Sequence, residues 1–286
     1  EARVLITSAA KADVAREALA SCPNIELALI VDAEGDETFK DYCALTAEHP
    51  STPISDESMG GAMLYSSGTT GNPKGILRPL QDVSPDVQMP YVQLAIQMWR
   101  YREGLVYLSP APLYHAAPQG AVGNTIRLGG TAVVMEKFDA EACLNLIDKY
   151  KVTHTQMVPT MFSRLLKLPQ DVREQANLSS LESVVHAAAP CPVPVKEEMI
   201  EWWGPIIYEY YSSSEGLGFA ACNREEWLAH KGTVGRIYAG VLHILDEQGN
   251  AVPEGTPGEL WFEKEHDFEY FNNEEKTQES SSKDGS

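Results

Sequence analysis

Between residues 66 and 75 the chain sets two Ser, two Thr, three Gly and one Lys within ten positions: Ser66, Ser67, Gly68, Thr69, Thr70, Gly71, Asn72, Pro73, Lys74 and Gly75. Glycines let backbone N–H groups face a ligand with no Cβ in the way. The hydroxyls add donors, and Lys74 adds a positive charge. Successive N–H groups in such a loop form a concavity suited to polyphosphate oxygens. The Gly-x-x-x-x-Gly-Lys-Ser/Thr type of nucleotide loop does not match. Pro73 precedes Lys74, Gly75 follows it, and no hydroxyl stands there to hold a magnesium ion. Residues 61–65 are apolar or small and read as a strand leading into the loop. A polar linker between two elements is the plain alternative.

Further runs stand in a set order downstream: Pro112-Leu113-Tyr114-His115, Ala187-Ala188-Ala189-Pro190, Tyr211-Ser212-Ser213-Ser214-Glu215-Gly216, Gly232-Thr233-Val234-Gly235-Arg236 and Gly258-Glu259-Leu260-Trp261. With residues 66–75, these runs resemble the motif series of the adenylate-forming superfamily, which includes acyl-CoA synthetases, luciferases and peptide-synthetase adenylation domains. The resemblance spans most of residues 62–262. It implies that ATP and a carboxylic acid give an acyl-adenylate with loss of pyrophosphate, and that coenzyme A then takes the acyl group as a thioester. Joining two anions asks for charge neutralisation and positioning more than for a covalent nucleophile.

By that resemblance Ser66, Ser67, Gly68, Thr69, Thr70, Gly71 and Lys74 embrace the β- and γ-phosphates, in a loop that acts as a closing flap. Lys74 alternatively stays a solvated cation; the family's main adenylation lysine lies in a C-terminal domain. Glu215 is the expected ligand for the Mg2+ that bridges phosphate oxygens, a hard carboxylate for a hard cation. Ser214 stands where relatives carry Thr and would meet the α-phosphate. Ser212 replaces a usual Gly and brings one extra donor. Tyr211 would stack on adenine or pack in the core, and Ala187, Ala188, Ala189 and Pro190 would let adenine approach the backbone. His115 would help place the substrate carboxylate, although a turn histidine is an open alternative. A general base is not needed, because the nucleophile is ionised at neutral pH. Ala116, Gln119 and Gly216 are expected on the acyl side, with small or apolar walls that favour a fatty or related acid. Cys191 and His186 read as packing residues.

The elements that must position these residues read as alternating strands and helices. Strands are expected at 3–7, 26–31, 61–66, 105–109, 131–135, 152–157, 183–188 and 206–211. Helices are expected at 9–21 with Ser8 as N-cap, and at 86–101, 139–150, 159–168 and 195–203. Residues 32–60 read as a polar excursion. Alternation at this spacing implies largely parallel sheets with helices on their faces. Residues 241–245 and 259–262, joined through turn residues, read as a smaller antiparallel part. The fold class is therefore α/β, as in the large N-terminal domain of the superfamily. Ligands in open α/β sheets bind beyond the strand carboxyl ends. Since residues 66–75, 187–191 and 212–216 each follow an expected strand, one shared site is expected.

The net charge is −19, from 22 basic and 41 acidic residues. That disfavours nucleic acid and anionic membranes as partners. It also requires any ATP site to build positive potential locally. No apolar run nears the roughly 18–20 residues that span a bilayer. The five cysteines (22, 43, 143, 191, 222) are scattered and odd in number, which argues against a disulfide framework. With no signal peptide expected, the location expected is cytoplasmic. Residues 1–262 are read as a partial AMP-binding domain and 263–286 as an acidic, exposed segment. The ribose-binding Asp block and the C-terminal lid of relatives are not found, so these residues alone are expected to turn over poorly. Two alternatives stay open: an acyl-AMP ligase or adenylation domain loading a carrier protein, and a noncatalytic nucleotide-binding module.

Overall fold

A computed structural model describes residues 2–65, 74–87, 89–263 and 269–279. The chain forms two compact units, Glu1–Glu57 and Ser58–Ser286. Five elements build the first unit: β1 (Val4–Thr7), α1 (Ala12–Ala20), β2 (Leu27–Ile30), β3 (Lys40–Asp41) and α2 (Tyr42–Ala47). The three strands run parallel in the order β1-β2-β3, over a small core of Ala15, Ile30 and Phe39. Two local expectations change. The helix begins with a 3-10 turn at Ala9–Lys11, and Ser8 makes no side-chain cap bond. Asp32 Oδ1 instead accepts from the Ala9 N–H at 2.6 Å. The polar excursion contains β3 and α2, with Asp41 accepting from the Ala44 N–H at 3.0 Å as the α2 N-cap.

The second unit contains β4 (Leu64–Tyr65), β5 (Gly75–Leu77), α3 (Pro90–Trp99), β6 (Val106–Ser109), α4 (Ala116–Arg127), β7 (Thr131–Val134), α5 (Ala140–Tyr150), β8 (His154–Met157), α6 (Pro159–Leu166), α7 (Gln170–Gln175), β9 (Ser183–His186), α8 (Val193–Trp203), β10 (Ile207–Ser212), β11 (Phe219–Cys222), α9 (Arg224–Ala229), β12 (Arg236–Ala239), β13 (Leu242–Leu245), β14 (Glu259–Phe262), β15 (Glu269–Tyr270) and α10 (Glu274–Glu279). Its main sheet has the order β12-β11-β10-β9-β8-β6-β7. The five strands β7, β6, β8, β9 and β10 are mutually parallel, and β11 and β12 extend the sheet antiparallel. Helices α5, α6 and α8 bury Leu144, Ile147, Phe162, Leu165, Met199 and Trp203 in one core with Val184 and Ile207 of the sheet. Central strands buried on both faces read as unbroken apolar or small runs, and Ser183–His186 is buried at all four positions.

Helix α4 was not expected. Its first two turns contain Pro118, Gly120 and Gly123, residues that hide helical periodicity. It nevertheless buries Ala121 with Leu105 and Tyr107. The β13–β14 pair is antiparallel, as expected. A third sheet has the order β15-β5-β4, with both pairings antiparallel. Within the segment expected to be exposed, Tyr270 is only 8% exposed: β15 pairs with β5, and Tyr270 packs with Ile76 and Leu217. Among the described residues, no helix is long and apolar enough to cross a membrane.

Candidate functional site

Because β6, β8, β9 and β10 are parallel and adjacent, their carboxyl ends share one edge of the main sheet. The 187–191 turn leaves β9 and the 213–216 turn leaves β10. The register Glu209↔His186 sets these two turns side by side. The argument from strand ends therefore holds for two of the three motifs. It does not hold for residues 66–75, whose flanking strands β4 and β5 form an antiparallel hairpin in a different sheet. Residues Ser66, Ser67, Gly68, Thr69, Thr70 and Gly71 lie outside the described residues; Lys74 lies within them.

Tyr270 joins the hairpin to the sheet edge. Pairing of β15 with β5 places Tyr270 opposite Ile76, and the Phe271 N–H donates to the Gly75 carbonyl at 2.7 Å. From there the Tyr270 hydroxyl donates to Glu215 Oε1 at 2.7 Å. Lys74 Nζ sits 4.6 Å from the centroid of the same ring, a cation–π arrangement. Burial, then the adjacent Glu215 carboxylate, pushes the Tyr270 phenol well above its ordinary pKa. It therefore stays protonated and acts as a donor. A second link comes from Arg78, one residue past β5, whose guanidinium donates to the Ser214 carbonyl and lies against Gly216. Lys74, Glu215, Ser214 and Gly216 are thus brought to one place, with two cations beside it in a chain of net charge −19.

The sequence reading missed both connectors. Arg78 stands in the Gly75-Ile76-Leu77-Arg78-Pro79 run, whose only signal is a resemblance to bacterial acyl-CoA synthetases, and Tyr270 lies in the segment read as acidic and exposed. Gly216 is expected on the acyl side, and a Cβ added there would come within 3.1 Å of the Arg78 guanidinium.

The remaining candidates are spread along the edge. Tyr211 is 41% exposed and helps line an open cleft of about 460 Å3 with Ser213, Leu217 and β14 residues Glu259–Phe262. The Phe262 ring packs so tightly on Gly218 that a Cβ there would overlap it. Ser212 does not offer a free donor to a ligand: its hydroxyl donates to the Gly218 carbonyl at 2.7 Å and closes the turn. Ala187 is buried, while Ala188, Ala189 and Pro190 are exposed. Ala188 has φ +74°, a left-handed conformation costing a non-glycine residue roughly 1–2 kcal/mol.

His115 is the exposed N-cap of α4 and lies against Tyr114 with ring centroids 4.6 Å apart and planes tilted by 54°. It follows β6, three strands from β10 in sheet order, which is about 14 Å at strand spacing. Ala116 is half-buried and Gln119 exposed in the first turn of α4. Cys191 is not a nucleophile at neutral pH, because burial pushes its thiol up to about 11.

Beneath the two turns lies a buried charged set. Lys196 of α8 bonds Glu209 of β10 and sits 4.7 Å from the Trp227 ring centroid. His186 Nε2 lies 3.4 Å from Glu209 Oε2. It forms no ion pair, since burial and then the Lys196 charge pull the imidazole pKa down to about 3.

As a metal site the donor set is sparse. Among the described residues no cluster of three or more His, Cys, Asp or Glu side chains exists. Glu215, with one oxygen held by Tyr270, suits a magnesium ion that arrives on phosphates. Mg2+ typically takes one or two carboxylates, and substrate phosphates and water complete its shell.

A family model described as AMP-binding enzyme matches residues 1–269. The chain belongs to the AMP-binding enzyme family. Among curated relatives, it is 32% identical over 202 residues to the medium/long-chain-fatty-acid–CoA ligase FadD8 of Mycobacterium tuberculosis, covering 69% of this chain and 34% of that protein. It is 30% identical over 224 residues to the probable CoA ligase CCL5 of Humulus lupulus, covering 75% of this chain and 39% of that protein. Among solved structures, the amide bond synthetase McbA of Marinactinospora thermotolerans superposes with a TM-score of 0.78 at 25% identity, over 99% of this chain and 56% of that one. This AMP-binding chain thus spans well under half the length of the curated relatives it matches. The shared fold is the α/β architecture with the smaller antiparallel parts described above.

Proposed function

We propose that this chain supplies the nucleotide-handling part of an enzyme that activates a carboxylic acid as an acyl-adenylate with ATP and passes the acyl group to coenzyme A. The observation that carries the reading is the junction at Tyr270, where the cation bordering residues 66–73 and the carboxylate of the 213–216 turn meet. The names of the relatives, fatty-acid–CoA ligase and CoA ligase, support a fatty or related acid and CoA as acceptor.

In this reading Lys74 and Arg78 supply positive charge where the acid carboxylate approaches the triphosphate. Residues 66–71 donate hydrogen bonds to the β- and γ-phosphates, and these bonds strengthen as charge moves onto pyrophosphate. Glu215 holds Mg2+, which when bound neutralises phosphate charge and orients the leaving group. Tyr211 and the 187–190 turn bracket adenine. Ser214 lies beside the α-phosphate, while His115, Ala116, Gln119 and Gly216 border the acyl side. An amine acceptor is the second reading, favoured by the similarity to an amide bond synthetase.

The test is calorimetric titration of ATP with magnesium, repeated on Lys74→Ala and Glu215→Ala. Each substitution is expected to weaken binding at least tenfold, the Glu215 change only when magnesium is present. Binding unchanged in both variants would reject Lys74 and Glu215 as the phosphate site, and no binding in the parent chain would leave an inert scaffold. An acid panel with CoA present or absent, in the longest natural form of the protein, then reads the acceptor as thioester formation.

A further inference from the structure

We propose that Tyr270 is a positioning residue for Glu215, holding one carboxylate oxygen so that the other faces the cation and its phosphates; this rests on the nucleotide reading above. Three observations combine. The hydroxyl donates to Glu215 Oε1 at 2.7 Å. The ring carries the Lys74 ammonium at 4.6 Å. The backbone is fixed by β15–β5 pairing and by the Phe271-to-Gly75 bond at 2.7 Å.

A Glu side chain in a turn has several rotamers, and ordering them at the moment of binding lowers affinity. A hydrogen bond from a rigid, buried phenol removes that freedom beforehand. The same residue pairs with Ile76 of β5, so the hydroxyl is held at Glu215 by backbone pairing as well as by its own bond. Arg78 reinforces the same link by binding the Ser214 carbonyl.

Tyr270→Phe keeps the ring under Lys74 and removes only the hydroxyl. Magnesium chloride is titrated into this 286-residue chain at fixed ATP, with ATP binding in EDTA measured alongside. Outer-shell partners of metal ligands are typically worth 10–100-fold in metal affinity. The expected result is an apparent magnesium affinity at least tenfold weaker, with metal-free ATP binding unchanged within twofold. A double-mutant cycle separates positioning from general damage. Glu215→Asp withdraws the carboxylate from hydroxyl reach, so adding Tyr270→Phe to it should change magnesium affinity less than twofold. Equal losses on the Glu and Asp backgrounds would overturn the proposal, as would unchanged or tighter magnesium binding in the single Phe variant. If the unsubstituted chain shows no magnesium-dependent ATP binding at all, the nucleotide reading falls together with this one.

Discussion

Replacing Lys196 with Met is expected to be among the most damaging single substitutions outside the phosphate region. Lys196 is 1% exposed and Glu209 6% exposed, and the two are bonded to each other. The Met side chain fills similar volume, so little cavity forms. What remains is a buried carboxylate whose remaining ionisable neighbour is the buried His186 imidazole, 3.4 Å away; removing one partner of such a pair costs about 3–5 kcal/mol. Loss of the cation over Trp227 adds about 0.5–1 kcal/mol. With a urea m-value on the order of 3 kcal/mol/M, the midpoint should fall by roughly 1–2 M. The informative control is Lys196→Met with Glu209→Leu. Replacing a buried ion pair by apolar side chains is often neutral or stabilising, so the double variant should recover most of the loss. Urea denaturation followed by tryptophan fluorescence reads both variants. A single variant losing less than about 1 kcal/mol, or a double variant as unstable as the single, would refute the claim that the pair is desolvated and mutually dependent.

Two further outcomes follow from local geometry. The His186 imidazole is held neutral down to a pKa of about 3, whereas the unfolded chain protonates it near 6.5. Its stabilising contribution is full above pH 6.5 and is lost as pH falls toward 3, at up to about 1.4 kcal/mol per pH unit. His154, lowered chiefly by burial, adds with the same sign. Urea midpoints at pH 7 and pH 5 should therefore differ less in His186→Gln than in the parent chain; equal differences would reject the assignment. Ala188→Gly relieves the φ of +74° and should raise stability by about 0.5–1 kcal/mol, a melting-temperature gain of a few degrees. A fall in melting temperature would show that the turn relaxes on its own.

The strand–helix alternation from residue 105 to 211 was legible because burial imprints a local period: apolar runs for central strands, stripes for helices. The β14 strand, residues 259–262, was legible instead from the turn residues around 246–249 and 253–255 that precede it. Helix α4 escaped because Pro118, Gly120 and Gly123 break that imprint, and packing against β6 and β7 stabilises it instead. The candidate residues near 187–190 and 211–216 were legible as motifs, and parallel pairing of β9 and β10 sets them side by side.

What residue types and spacing determined alone was the chemistry on offer: a hydroxyl- and glycine-rich loop with one cation, a carboxylate in a turn, and small residues beside an aromatic. Tertiary structure decided which of them meet. Lys74, Glu215 and Tyr270 converge although β5 belongs to a different sheet from β10, and Lys196 finds Glu209 through packing of α8 on the sheet. Such pairings depend on strand register and on the angle at which elements pack. No local period encodes either, because the partners lie on separate elements and only burial of both makes their contact matter.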